Sequence, residues 1–428
     1  MTKDLISRDA AAFFHQEGSS PCPFALHKAQ GVWLEDVEGR RFIDLHGNTA
    51  HHLGYGHPRL IAALKQQLDE LPFSPRRFTN EPAVMLAEKL LGHWPGAPAK
   101  VLFATGGSDA IEIALKLARV ATGRPGTLSF EGSYHGHGFG AFGLSRSAPD
   151  ARLGPFLSGR HHVPGYWQGA EQALAAMKAV FDRSAKDIGA VIAEPIRSNC
   201  HVPPDWFWPE VRLLCDAHGT LLIFDEIPSG LGKTGRFFAF EHMGVVPDAV
   251  VLGKALGGGV VPIAAVIADA RLDVAPELDL GHYTHEKNPL TARAALTMIE
   301  IIEDDRLDQR AAELGRRVMF ALAEMAARTP FIAGARGKGL LLALDFAPQL
   351  CGREPGPDFT GDLVEAFWRE GLSTTDKGPA SVGFSPPLII SDDEITEALT
   401  RVERVARSFA GAVSRDGRRA ARGKLQQV

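Results

Sequence analysis

The stretch from Leu221 to Lys254 reads LLIFDEIPSGLGKTGRFFAFEHMGVVPDAVVLGK, and its punctuation decides the fold. LLIFDE is an apolar run closing on Asp225 and Glu226, PDAVVLGK is a second closing on Lys254, and a Gly-rich loop joins them. Short apolar runs bounded by turn residues read as strands buried on both faces, as in a parallel sheet. In an open parallel sheet ligands bind beyond the carboxyl ends of the strands, so the acid and the amine are delivered to one crevice. A lone lysine after an apolar run is by itself a snorkelling surface residue. Here it stands with Asp225 and before Ala-Leu-Gly-Gly-Gly, which leaves its approach open. An amine able to hold a carbonyl cofactor as a Schiff base, and a carboxylate able to keep a pyridine ring protonated, are what a pyridoxal phosphate site requires.

The neighbouring sequence repeats the pattern. AKVLFATGG, TLSF, IGAVIAEPI, TLLIFDE, AVVLGK and IAAVIA read as strands, separated by helical stretches such as SDAIEIALKLARVATG, ALAAMKAVFDR and WPEVRLLCDAHG. Such alternation predicts an α/β fold, a mostly parallel sheet covered by helices. Upstream, VWLEDVEGRRFIDL predicts a hairpin around a Glu-Gly turn. Two helices follow, one with Ile61, Leu64 and Leu68 on its inner face and one burying Val84, Ala87, Leu91 and Trp94. Downstream, a long helical stretch from NPLTARAAL to FALAEMAA leads to a smaller α+β unit with GKGLLLALDF as a strand and a terminal helix from DDEITEAL. The organisation expected is an N-terminal segment over 1–70 that packs with the C-terminal unit, a large cofactor domain over 71–305, and a small C-terminal domain over 306–428.

Composition narrows the function. Lys plus Arg number 46 against 51 Asp plus Glu, a net charge of −5, which gives no electrostatic case for nucleic acid. The basic tail RDGRRAARGKLQQV reads as a solvated end. Cys22, Cys200, Cys215 and Cys351 are scattered with no C-x-x-C pair, and His46, His51, His52 and His57 have no chelating spacing, so no metal is expected and a reducing cytoplasm fits. No run of about 18 apolar residues and no leader-like N-terminus is present, so no membrane partner is expected.

Ala104 to Asp109, Ala-Thr-Gly-Gly-Ser-Asp, join a strand to a helix start, where backbone N–H groups cleared by glycine and a serine hydroxyl make a phosphate cradle. Together with FDEIPSGLGKTGRFFAFEHMGVVPDAVVLGKALGGG, the chain from about residue 30 to about 400 resembles the class III aminotransferases, fold-type I pyridoxal phosphate enzymes. The resemblance implies pyridoxal 5'-phosphate on Lys254 and its phosphate on Gly107 and Ser108. It also implies the ring beneath Tyr134, with His135 beside it and Ile227 on the opposite face, Asp225 at the pyridine nitrogen and Glu194 near the phenolic oxygen. Pro228 stands where the family commonly has Gln. Thr284 matches a Thr that reaches the neighbouring subunit's phosphate, which implies a homodimer with shared active sites.

After Lys254 removes a proton from the carbon bearing nitrogen, the family divides between transamination and elimination, and fold alone does not choose. Many class III transaminases carry a Glu five residues after the Glu-Pro-Ile glutamate and an Arg three residues before a C-terminal Pro-Pro; here these are Asn199 and Gly383. Candidate groups for an anionic substrate are Arg76, Arg77, Arg197 and Lys377. With SPRRFTNEP and HYTHEKNP, the chain resembles the family's ammonia-lyases acting on 1-hydroxy-2-aminoethylphosphonate. The expected activity is therefore release of ammonia from a small amine substrate of that kind, with an omega-transaminase and a non-catalytic binding relative as alternatives.

Overall fold

The computed structural model describes residues 2–16, 22–145 and 150–424. Helix α1 (Thr2–Ala12) precedes an antiparallel meander of β1 (Leu26–Gln30), β2 (Trp33–Asp36) and β3 (Arg41–Asp44). The β2–β3 turn is set by Asp36, whose Oδ1 accepts the N–H groups of Glu38 and Arg40, both at 2.9 Å. Gly39 completes it at φ +81°, a left-handed backbone that glycine adopts without a Cβ clash.

Helices α2 (Pro58–Glu70) and α3 (Glu81–His93) come next, and both present a different face from the one expected. In α2 the buried row is Leu60, Leu64 and Gln67, while Leu68 is 51% exposed. In α3 it is Ala83, Leu86 and Leu90, with Trp94 buried as expected but Val84 exposed. Both rows keep three- and four-residue steps. A period of 3.6 does not separate two adjacent phases when both are apolar.

The central sheet is built from β4 (Ala99–Ala104), β5 (Gly126–Phe130), β6 (Arg160–Val163), β7 (Ile188–Ala193), β8 (Leu221–Asp225), β9 (Ala249–Leu252) and β10 (Ala264–Asp269). Between them run α4 (Gly107–Thr122), α5 (Phe139–Ser145), α6 (Ala170–Ser184) and α7 (Phe207–His218). The spatial order is β4-β10-β9-β8-β7-β5-β6. Strands β6, β5, β7, β8 and β9 pair in parallel, and β10 is antiparallel to both β9 and β4. Two reversals restore direction, so β4 points the same way as β9. Every residue of β5, β7, β8 and β9 is buried, which explains the apolar spelling of β7, β9 and β8 up to Asp225; β5 buries Thr127 and Ser129 among its apolar residues.

The long helical stretch is two helices, α8 (Pro289–Asp304) and α9 (Leu307–Arg328), broken where Arg306 takes φ +50°. The expected strand GKGLLLALDF is a hairpin instead: β11 (Ile332–Lys338) turns at Gly339 into β12 (Leu341–Phe346). After α10 (Pro357–Arg369), β13 (Leu372–Ser373) pairs in parallel with β3. Then β14 (Asp376–Gly378) and β15 (Ser381–Phe384) complete a small antiparallel sheet of order β11-β12-β15-β14, and α11 (Asp392–Lys424) closes the chain. Among the described residues no helix is long and apolar enough to cross a membrane.

The β11–β12 turn is wedged between α9 and the Gly-rich loop. A Cβ on Gly315 would run into the carbonyl oxygen of Gly339, and one on Gly339 would meet the backbone of Lys233 and Thr234 at 2.5–2.7 Å. Gly315→Ala gains about 1 kcal/mol of helix propensity. Overpacking against backbone that has nowhere to move costs about 1–3 kcal/mol. The net expectation is a lower thermal midpoint, read by calorimetry; an unchanged or raised midpoint refutes the wedge.

Candidate active site

Because β4, β5, β7, β8 and β9 point one way, the residues just past their carboxyl ends meet on one edge. Those residues are Gly107 and Ser108, Tyr134 and His135, Glu194, Asp225 and Lys254. Together with Gly136, Ser198, Ile227 and Pro228 they line a single cavity of about 180 Å³.

Ala193 pairs with Phe224, so Glu194 follows β7 at the level where Asp225 ends β8. Two carboxylates thus stand side by side. Burial first, and then the Asp225 charge, push the Glu194 carboxyl above its usual range. Glu194 Oε1 accepts the backbone N–H of Ser198 at 2.9 Å, and Arg197 Nε stands 4.0 Å away. Asp225 Oδ2 lies 2.8 Å from Nδ1 of the buried His135, and its Oδ1 accepts the N–H of Ile227 at 3.1 Å. A carboxylate only accepts, so the Nδ1–H of His135 is the donor. The His135 backbone N–H is in turn held by Ser145 Oγ at 2.7 Å. Glu226 points elsewhere: its two oxygens take the N–H groups of Ala239 and Phe240, both at 2.6 Å.

Lys254 begins a short turn at φ +45°, a conformation uncommon for a residue with a side chain. Lys254 lines the cavity and keeps surface exposed there. Burial lowers the amine's pKa, while Glu194 and Asp225 oppose that shift. At the other end of the cavity, α4 starts from Gly106 with no side-chain cap. Its first-turn N–H groups and the Ser108 hydroxyl form a cradle suited to an anion. Ser108 Oγ accepts the N–H of His137 at 3.0 Å, leaving its own proton to donate. A Cβ on Gly107 would stand 2.8 Å from Ile227 Cδ1, so any larger residue there would push the Ile227 side chain out of its place in the cavity wall. An amine, a buried carboxylate and an anion cradle on one cavity fit pyridoxal phosphate.

Ser198 also lines a second cavity of about 660 Å³, between the sheet edge and the small sheet, that holds Arg197, Arg336 and Lys377. Arg76 and Arg77 sit on an exposed loop and line neither cavity within one chain, and neither does the exposed Thr284.

Residues 14–406 match the aminotransferase class III family. The chain belongs to that family. It is 36% identical, over 94% of its length and 90% of the relative's, to an (R)-1-hydroxy-2-aminoethylphosphonate ammonia-lyase of Vibrio splendidus. It is 35% identical, over 93% and 90%, to a diaminobutyrate–2-oxoglutarate aminotransferase of Rhizobium meliloti. Among solved structures, the taurine:2-oxoglutarate aminotransferase of Bifidobacterium kashiwanohense, in complex with PLP and glutamate, superposes with a TM-score of 0.88 at 25% identity, covering 96% of this chain and 98% of that one.

For a class III aminotransferase fold, the sequence missed two residues of consequence, Ser198 and Arg336. Ser198 joins the two cavities and holds Glu194, and its position in EPIRSN was the available signal. His135, expected beside the ring, also fixes Asp225, a contact between residues 90 apart that the sequence did not show. Arg336, in ARGKG, carries no local mark of its role and is found only through its partners. The cradle makes a prediction independent of turnover. Gly107→Ala should weaken retention of pyridoxal phosphate on dialysis by roughly tenfold, about 1.4 kcal/mol, and adding Ile227→Ala should restore part of it. Cofactor retention unchanged in Gly107→Ala, read by visible absorbance, refutes the Ile227 constraint.

Proposed function

We propose that this protein is a pyridoxal 5'-phosphate enzyme that eliminates ammonia from a small phosphonate amine, 2-amino-1-hydroxyethylphosphonate, giving phosphonoacetaldehyde. Family membership supports the cofactor. The fit of the smaller cavity, with Lys254, Asp225 and the α4 cradle, supports it independently.

The cation inventory of the larger cavity carries the substrate reading. Arg336 is committed: its Nε and Nη2 donate to Asn199 O at 3.2 and 3.1 Å, Nη2 also to Lys377 O at 3.0 Å, and Nη1 to Ser381 Oγ at 3.2 Å and to Asp345. His201 is pushed down to about 4, by burial first and then by the Arg336 and Arg197 charges, and is neutral at pH 7. Arg197 lies over the Trp167 ring at 3.8 Å, donates to Gly132 O, and its Nε makes no hydrogen bond. Lys377 Nζ donates to Ser198 O at 2.9 Å and keeps further protons to give. Arg197 and Lys377 are thus the cations with donors in reserve. Without a free guanidinium fork, a planar carboxylate is poorly served, whereas a tetrahedral oxyanion is satisfied by separate point donors. Asn199 and Gly383 stand where many relatives place the Glu and Arg that alternate between two substrates, and an elimination needs only one. Arg76, Arg77 and Thr284 would act across the interface of a homodimer.

When bound, the cofactor draws electrons from the carbon bearing nitrogen. Asp225, oriented by His135, would hold the proton on the ring nitrogen, with Tyr134 over the ring and Glu194 near its oxygen. Lys254, its amine pKa depressed by burial, takes the proton from the amine-bearing carbon. The C–O bond on the neighbouring carbon breaks as Lys254 passes that proton to the departing hydroxyl, which leaves as water, and one water then hydrolyses the freed enamine to aldehyde and ammonia. The Rhizobium meliloti relative favours a second reading, an omega-transaminase passing its amino group to a keto acid.

Two measurements test these assignments. Purified enzyme given 2-amino-1-hydroxyethylphosphonate and no keto acid should release ammonia over many turnovers; one equivalent per site, or a requirement for pyruvate, makes it a transaminase. Asp225→Asn keeps the shape but removes the charge that stabilises the protonated ring. A charge-assisted contact of about 3 kcal/mol predicts a fall of at least roughly a hundredfold in rate, and near-normal rates with cofactor retained contradict the role.

A further inference from the structure

Lys377 reaches the larger cavity by a local irregularity in the small sheet. In the β14–β15 pair, Asp376 faces Val382 and Gly378 faces Ser381, so two steps on β14 span one on β15. Lys377 is the extra residue. A bulge of this kind turns a side chain out of the regular alternation, and bulges recur beside active sites for that reason. The side chain then lies across Gly383: a Cβ built there would stand 3.1 Å from Lys377 Cε and 3.6 Å from its Cγ. Its Nζ ends on Ser198 O, at the wall shared by the two cavities. The Lys254 amine is depressed in part by the Lys377 charge, which places the ammonium within electrostatic reach of the cofactor cavity.

We propose that Lys377, aimed by the bulge and seated on the bare backbone of Gly383, is the specificity-determining cation that fixes the anionic end of the substrate. This rests on the phosphonate reading above for the identity of the anion, and on the bulge and Gly383 for its location. The other charged groups at the cavity do not supplant it. Arg336 is tied to Asp345, and the exposed Asp376 accepts from Thr375 Oγ1 at 3.2 Å. Arg197 is stacked on Trp167 and lines the same cavity. In the free enzyme Ser198 O holds the ammonium; an anion in the cavity offers a charged acceptor, which is the stronger partner.

The test uses holoenzyme and ethylphosphonate, which has no amine and does not react, with calorimetric titration as the readout and ethylamine, which carries no anionic group, as the control. Lys377→Met should weaken ethylphosphonate at least about tenfold. Gly383→Ala, which forces the lysine stem aside, should weaken it in the same direction. The double variant should be no worse than Lys377→Met alone, because both changes act on one ammonium. Ethylamine affinity should be unchanged throughout. Ethylphosphonate affinity unchanged in Lys377→Met overturns the proposal and leaves the lysine a strut for Ser198. Equal loss for ethylphosphonate and ethylamine overturns it too, as does strict additivity in the double variant. No step of the assay needs turnover, so a protein that proves to be a transaminase while losing ethylphosphonate in these variants keeps this assignment.

Discussion

The arrangement depends on the parallel ladder. Hydrogen bonding of β5, β7, β8 and β9 in one direction, with β4 brought into line by the antiparallel β10, leaves five carboxyl ends on one edge. Strand ends are where the chain must leave the apolar layer, so polar residues there are neither forced into the core nor lost to bulk water. The register then sets distances: a one-residue slip between β7 and β8 would reverse the faces of every side chain on the slipped strand. It would also separate Glu194 from Asp225. Sheet packing therefore enforces the site geometry.

That geometry has an electrostatic consequence. Two adjacent buried carboxylates repel, and either is tolerable only with hydrogen-bond donors or a cation. The chain supplies different donors to each. Asp225 has the His135 imidazole and the Ile227 N–H, whereas Glu194 has the Ser198 N–H and a distant Arg197. Burial and the Asp225 charge push the Glu194 carboxyl up. Asp225 thus has two donors aimed at its oxygens, an arrangement that suits a partner for a protonated ring. Glu194 is better suited to a role in which holding a proton does no harm.

Lys254, Asp225 and Glu194 were legible in the sequence because each closes an apolar run, and a run buried on both faces is spelled without interruption. The TGGSD turn was legible through its place in the family pattern, since glycine and serine are ordinary turn and cap residues on their own. The helix faces were not. In α3 the rows Ala83-Leu86-Leu90 and Val84-Ala87-Leu91 are both apolar, and only packing chooses between them. The hairpin turn at Gly339 was hidden inside GKGLLLALDF, since Lys-Gly reads equally as strand edge or turn. The role of Arg336 lay beyond the sequence because its Asn199, Lys377 and Ser381 partners are more than 40 residues away, and the Lys377 bulge because a register shift appears only once the strands pair.

Arg and Lys are not interchangeable in the larger cavity, and the structure has sorted them. The guanidinium of Arg336 is a rigid planar fork, and its donors are spent joining Asn199 and Lys377 backbone oxygens to Asp345 and Ser381. It fastens the Arg197–Asn199 turn to the small sheet and cannot turn to a ligand without releasing that turn. The ammonium of Lys377 is a point charge on a flexible stem, resting on a single carbonyl. A rigid cation therefore serves the scaffold while a mobile one faces the solvent-filled space. A side chain at 383 would occupy the path of the Lys377 stem, so a fork at that position and an ammonium reaching over it are alternatives. On this reading, the missing side chain of Gly383 is what admits Lys377 to the cleft.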